Sequence, residues 1–228
     1  MTEKHKIDHP RSCFLRPASD VAGRIQAVIF DLGNVLIDFD HTIAARRIAA
    51  FSQKTAQEIF DLFFDSELTG LFEAGRILPE EFFLRIKEAL GLKIDYPEFL
   101  PIWNEIFFLS QKNRAVYRLA RSLKQNYKLA LLSNVNILHF DYLRKNFAVF
   151  DAFHHIVASY EVGVCKPDPR IYRHTLELLK ASSPSRVFYT DDRAELVQKA
   201  GELGIRSFVF KDLTQLKVDL ESAGINPD

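Results

Sequence analysis

The chain has 228 residues, 47% of them apolar, which suits one large domain or a core carrying a smaller insert. Lys plus Arg and Asp plus Glu number 30 each, so no overall basic excess supports nucleic acid binding. No apolar run reaches the ~18 residues of a membrane span, and the two cysteines, Cys13 and Cys165, are too far apart to suggest a metal spacing or disulfide framework; a reduced, cytoplasmic setting fits.

Residues 1–24 are polar, contain Pro10 and Pro17, and lack the apolar centre of a signal peptide, so they read as a flexible extension. The core begins at residues 25–42 with the strand "IQAVIF" (25–30), which delivers Asp31 to its end and is followed two residues later by Gly33. Residues 43–110 carry helical patterns: Ile59, Phe60, Phe63 and Phe64 in one stretch, and Phe82, Phe83, Ile86 and Leu90 between Pro79 and Gly91 in the next. A third stretch, "PEFLPIWNEIFFL", also reads as a helix. This insert directly follows the first strand and reads as a lid over the strand ends. Its share of the 20 Phe residues is expected to form a core of its own, with a dimer surface as the alternative.

The core resumes over 111–228. Short β-branched and aromatic runs at 127–132, 154–159, 186–190 and 206–210 are nearly continuous in hydrophobicity, as strands buried on both faces are. Helical patterns alternate with them: Val116, Leu119, Ala120 and Leu123 share one face, Pro169 opens the helix carrying Ile171, Thr175, Leu178 and Leu179, and Gly204 stops another. The alternation predicts an α/β fold with a doubly wound parallel sheet and a small helical cap after its first strand.

In such a sheet, ligands bind beyond the carboxyl ends of the strands. The first strand ends at Asp31, the second at Ser133 and Asn134; Lys166 lies in the loop after the third, and Asp191 and Asp192 end the fourth. Singly, each is an ordinary turn, cap or surface residue. Together they place a nucleophilic carboxylate, a hydroxyl, a cation and two more carboxylates at one edge. That set suits phosphoryl transfer: a carboxylate attacks phosphorus, cations and hydrogen-bond donors meet the phosphoryl charge, and magnesium takes oxygen ligands. Asp31 and Asp192 are the expected metal ligands, with Asp191 beside them; Ser133, Asn134 and Lys166 are the expected substrate-binding groups.

The four segments "IFDLGNVL", "LLSN", "KPDPRIY" and "VFYTDDRAELVQKAGELGI" resemble, in order, the motifs of the haloacid dehalogenase-like hydrolase superfamily. The resemblance implies a Rossmann-like core, a cap, magnesium and phosphatase activity. Asp31 then looks like the nucleophile, Ser133 the phosphate-binding residue, Lys166 the third-motif lysine, Asp192 a metal ligand supported by Asp191, and the Gly33 carbonyl the remaining protein ligand to magnesium. "FDLGNVLIDFD" is similar to the branch of sugar phosphatases that includes α-D-glucose-1-phosphate phosphatases, which implies a small phosphorylated substrate such as a sugar 1-phosphate. A monomer or homodimer is expected.

Two positions depart from the superfamily pattern. Gly33 stands where most of its phosphatases have a second aspartate, the general acid/base, and Leu196 stands where the fourth motif often has Asn or Asp. Without the carboxylate at 33, substrates with good leaving groups are expected, or a proton from elsewhere; Asp38 and Asp40 are the nearby candidates, though loop and hinge roles fit them better. A phosphate-binding module without catalysis, a metal-independent dehalogenase and a phosphomutase are the competing readings, and the paired carboxylates at 191 and 192 argue against the dehalogenase.

Overall fold

The computed structural model describes residues 23–63 and 66–227. The expected N-terminal extension, 1–24, therefore falls almost wholly outside the described residues, as does Phe64.

The first strand, β1 (Ala27–Phe30), is buried along its whole length. Its side chains alternate between two apolar layers, as the period of a strand requires. Val28 and Phe30 pack in one cluster with Leu129, Leu131 and Phe188. Ala27 and Ile29 pack in the other with Ala130, Leu132 and Tyr189. A strand covered on both faces cannot show a polar–apolar alternation, which is why these segments read as continuous apolar runs.

After β1 the chain forms a short strand, β2 (Asp38–Phe39), which pairs antiparallel with β3 (Phe107–Phe108). Between them in sequence lie the cap helices α1 (His41–Ala49), α2 (Ala56–Phe63), α3 (Glu67–Glu73), α4 (Pro79–Leu90) and α5 (Tyr96–Asn104). The core then continues through α6 (Gln111–Leu123), β4 (Lys128–Ser133), α7 (Ile137–Asn146), β5 (His155–Ala158), α8 (Ser159–Val162), α9 (Pro169–Leu179), β6 (Val187–Asp191), α10 (Ala194–Glu202), β7 (Arg206–Val209) and α11 (Leu213–Ser222). Five strands form a parallel sheet in the order β5-β4-β1-β6-β7. The strand order reverses at β1, with β4 and β5 on one side and β6 and β7 on the other. A crevice opens at such a switch point.

The five expected sheet strands and the helices between them are present. The stretch expected to be one helix to Leu109 divides instead: α5 ends at Asn104, and Phe107–Phe108 join β3 because Phe107 finds a pairing partner in Phe39. The helix α3 has only seven residues, and α7 and α11 carry weak amphipathic patterns, so the sequence does not mark them.

The cap has its own apolar core. Phe63, Phe72, Phe82, Phe83, Phe99 and Trp103 are buried together. Phe72 stacks on Phe82 at 4.3 Å between centroids, and Phe63 meets Trp103 edge-on at 4.9 Å. The aromatic excess in this segment is thus packing, as expected. Pro79 opens α4 and Gly91, with φ of 60°, closes it. Among the described residues, no helix is long and apolar enough to cross a membrane.

Candidate active site

Each strand end reaches the same edge of the sheet. Asp31 directly follows β1, and its backbone N–H donates to the Thr190 carbonyl at 3.0 Å, extending the ladder with β6. Ser133 ends β4 and Asp191 ends β6. Lys166 arrives from the loop before α9. Its ammonium donates to Asp31 Oδ1 at 2.6 Å, to Asp191 Oδ2 at 2.6 Å and to the Leu132 carbonyl at 3.1 Å. All three hydrogens of the ammonium are engaged, which is what a buried cation requires.

The loop carrying Lys166 is held by Asn134. The Asn134 Oδ1 accepts from the Lys166 backbone N–H at 2.7 Å, and its Nδ2 donates to the Lys166 carbonyl at 2.9 Å. Asn134, expected at the phosphoryl group, thus has both ends of its amide occupied in fixing the lysine. Ser133 is buried, lines the cavity, and makes only a long 3.4 Å contact to the Asn134 carbonyl, leaving its hydroxyl suited to a ligand.

Asp191 is fully buried. Beyond Lys166 it accepts from the Tyr189 hydroxyl, and from the Arg193 backbone N–H at 2.9 Å. Burial alone would raise its pKa, but the charge of Lys166 and these hydrogen bonds outweigh it, and the carboxyl lies below its usual value. Asp192 is only half-buried and accepts from Asn34 Nδ2 at 2.9 Å. Asn34 adopts a left-handed conformation, φ 55°, which Asn tolerates better than most residues. Burial pushes Asp31 up to about 7, against the opposing pull of Lys166. Burial would lower Lys166, but Asp31 and Asp191 together raise it.

Three carboxylates, Asp31, Asp191 and Asp192, offer oxygens that all lie within 4.8 Å of one another. Lys166 offsets only part of that negative charge. An all-oxygen donor set with surplus negative charge fits a hard divalent cation such as magnesium. Asp191 already accepts from Lys166, Tyr189 and a backbone N–H, whereas Asp192 accepts from Asn34 and is more exposed.

The two expected weak points resolve differently. Leu196 is buried, and its carbonyl accepts from the Tyr172 hydroxyl at 3.1 Å. Lys166 is instead held by Asp191, which also accepts from the Tyr189 hydroxyl. Gly33 lines the cavity, and a Cβ built on it would lie 2.8 Å from the Phe39 ring and 3.8 Å from Asp31 Oδ2. Asp38 is paired to Lys112 at 2.8 Å and to Asn113 Nδ2 at 3.0 Å; burial opposes its ionisation, but these bonds hold its pKa below the usual carboxylate value. Asp40 caps α1 through the Thr42 N–H at 2.8 Å. Both carboxylates are structural.

The site opens into a cavity of about 510 Å³ shared by core and cap. Phe39, His41, Phe63, Ser66, Thr69 and Glu73 line its far side. Asn34, Phe39 and Tyr189 carry no expectation from the sequence; an Asn after a Gly at a strand end is the one local signal, a left-handed turn, that marks any of them.

This geometry agrees with comparisons to known proteins. Residues 25–200 match the family described as haloacid dehalogenase-like hydrolase. The chain belongs to that family. A D-ribitol-5-phosphate phosphatase from Bacteroides thetaiotaomicron is 23% identical over 192 residues, 81% of this chain and 91% of the relative. A phosphatase from Mycobacterium tuberculosis is 26% identical over 225 residues, covering 88% of this chain and 99% of the relative. A family enzyme from Bacteroides thetaiotaomicron, solved in complex with magnesium and inorganic phosphate, superposes with a TM-score of 0.72 at 29% identity, over 84% of this chain and 98% of that one.

Proposed function

We propose that the protein is a magnesium-dependent phosphatase that cleaves a small phosphate monoester, a sugar or polyol phosphate with a sugar 1-phosphate foremost, through a phosphorylated Asp31. The observation that carries this reading is Lys166, buried between Asp31 and Asp191 at 2.6 Å from each, with Asp192 alongside. This lysine does more than balance charge: it opposes the effect of burial on Asp31, favouring the ionised carboxylate, and holds it at the cavity.

Lys166 engages Asp31 Oδ1, so Oδ2 is the oxygen we assign to attack on phosphorus. The Oδ2–P bond forms as the bond from phosphorus to the ester oxygen breaks, and the electron pair leaves on that oxygen. The Ser133 hydroxyl meets a phosphoryl oxygen, and Lys166, whose three hydrogens are engaged, contributes its positive charge at the cavity edge. Asp31, Asp192 and the Gly33 carbonyl would hold magnesium, which, when bound, supplies positive charge against the phosphoryl group and screens it from the carboxylates. Asn134 keeps the lysine loop in register, and the cap side of the cavity receives the rest of the substrate. The polyol phosphate named for the Bacteroides thetaiotaomicron relative, and the mixture of Ser, Thr, His and Glu with aromatic residues around the cavity, support a small polyhydroxylated substrate. The intact support of Lys166 and Asp191, despite Leu196, favours catalysis over a binding module. We place the enzyme in the cytoplasm.

Phosphate release from a panel of sugar, polyol and aryl phosphates, with and without magnesium, tests the reading. Turnover requires magnesium and falls by several orders of magnitude in Asp31→Asn. Magnesium-independent turnover, or activity retained in pure Asp31→Asn protein, rejects it.

A further inference from the structure

The position of Gly33 is defined by what surrounds it. A side chain there would start 3.8 Å from Asp31 Oδ2, the oxygen assigned to attack on phosphorus, at the position where the family resemblance implies an acid. That space is filled by Phe39, whose Cε1 lies 2.8 Å from the ideal Cβ. Real Cβ atoms do not approach other atoms so closely, so any residue at 33 other than glycine must displace the ring.

The ring is confined on two sides. Its centroid lies 5.0 Å from that of His41 and 6.1 Å from that of Phe107. Its backbone pairs with Phe107 in the β2–β3 ribbon. On one side the chain is anchored at Asp38, which is bonded to Lys112 and Asn113 at the start of α6. Lys112 also donates to the Asn34 carbonyl at 2.7 Å, tying the loop that holds Gly33 to the same anchor. On the other side Asp40 donates its N–H to the Ile106 carbonyl at 3.0 Å and caps α1. Loop and ring are thus held against each other from both ends.

We propose that Phe39 and Gly33 together determine specificity: the ring fills the space beside Asp31 that an acid at position 33 would need, so the rate on phosphate monoesters depends steeply on how readily the leaving oxygen departs without a proton from that position. The inference rests on the phosphatase reading above. A leaving oxygen of low basicity, as at the anomeric position of a sugar or on an aryl ring, carries off the electron pair from the broken P–O bond and takes its proton from solvent. A simple alkoxide gains most from that proton during bond breaking, and Phe39 keeps an acid at position 33 from supplying it.

The test measures kcat/KM for a series of phosphate monoesters differing in leaving-group acidity, under conditions where single-turnover rates show chemistry to be limiting. The unaltered enzyme is expected to show a steep dependence. Gly33→Asp alone loses activity on every substrate, because ring and carboxylate collide. In Gly33→Asp with Phe39→Ala, activity on alkyl phosphates rises about 10–100-fold over Phe39→Ala alone, the dependence flattens, and a new acidic-to-neutral limb enters the pH profile. A flat dependence in the unaltered enzyme overturns the proposal and needs no variant to fold. So does a gain on alkyl phosphates in Gly33→Asp alone, or none in the double variant when circular dichroism shows it folded. These outcomes concern ratios among substrates, whereas failure of the phosphatase reading would appear as no magnesium-dependent release from any of them.

Discussion

At the scale of single residues, the site depends on side chains that are held by others. Lys166 has three acceptors, Asp191 has three donors, and Asp192 is held by Asn34 alone among its bonds described above. That asymmetry makes Asn34 the residue whose loss should affect the metal most selectively. Its left-handed backbone would strain an alanine, so glycine is the cleaner replacement. Asn34→Gly keeps the turn and releases Asp192. Groups that orient a metal ligand are typically worth about 10–100-fold in metal affinity. The concentration of magnesium giving half-maximal activity is therefore expected to rise by about that factor, with kcat at saturating magnesium changed far less. A titration showing unchanged magnesium dependence would remove Asn34 from the metal site.

At the scale of elements, the question is how the cap is fastened over the strand ends. The clearest attachment lies between α3 of the cap and α8 of the core. Ser159 is fully buried; its hydroxyl donates to the Glu73 carbonyl at 2.6 Å and accepts from the Val135 N–H at 2.9 Å. One oxygen thus joins the end of α3 to the loop just beyond Ser133. Next to it Gly75, with φ of 63°, brings the chain so near the Tyr160 carbonyl that a Cβ would lie 2.2 Å from that oxygen. Ser159→Ala leaves a buried N–H and a part-buried carbonyl without this partner. A loss of about 1–3 kcal/mol in unfolding free energy is expected, together with a raised KM as the cap side of the cavity loosens. Chemical denaturation and steady-state kinetics on the same variant check both. The sequence shows this level only in part. Parallel strands announce themselves through continuous apolar runs, and Asp31, Ser133, Lys166 and the pair Asp191–Asp192 are legible because each follows a strand in turn. Ser159, Tyr189 and Phe39 are not legible, because their roles arise from partners brought near by folding. Asn34 and Asp192 lie 158 positions apart, and no local pattern records that they meet. The β2–β3 ribbon is hidden for a similar reason: each strand has only two residues, and Phe107 completes what periodicity alone reads as helix.

At the scale of the whole molecule, α7 joins the cap to the core. Ile137 and Leu138 pack against the cap cluster, while Phe140 and Leu143 belong to the core cluster. Between them His139 is buried and stacks on Trp103 of α5 at 4.7 Å. Its Nε2 faces the Trp103 carbonyl at 3.1 Å, an acceptor only, so Nε2 carries the hydrogen; Nδ1 then accepts from Asn136 Nδ2 at 3.1 Å. A second proton would have to enter at Nδ1, against the Asn136 donor and in a buried site near His41. Burial, with the charge of His41 adding to it, lowers the His139 pKa to about 3. The unfolded chain takes up this proton near the ordinary value of 6.5. Between those two values the unfolded state binds more protons than the folded one, so stability falls as pH falls through this window and is fully present above it. The slope from this one group approaches about 1.4 kcal/mol per pH unit. His139→Gln removes the titration while leaving His41 and the acidic residues in place. The variant is expected to be less stable than the unaltered protein at pH 7, with the difference shrinking at about that slope as pH is lowered from 6 to 4. Urea denaturation of both proteins across this range measures the difference directly. A gap that stays constant with pH would mean that His139 does not couple cap-to-core packing to protonation.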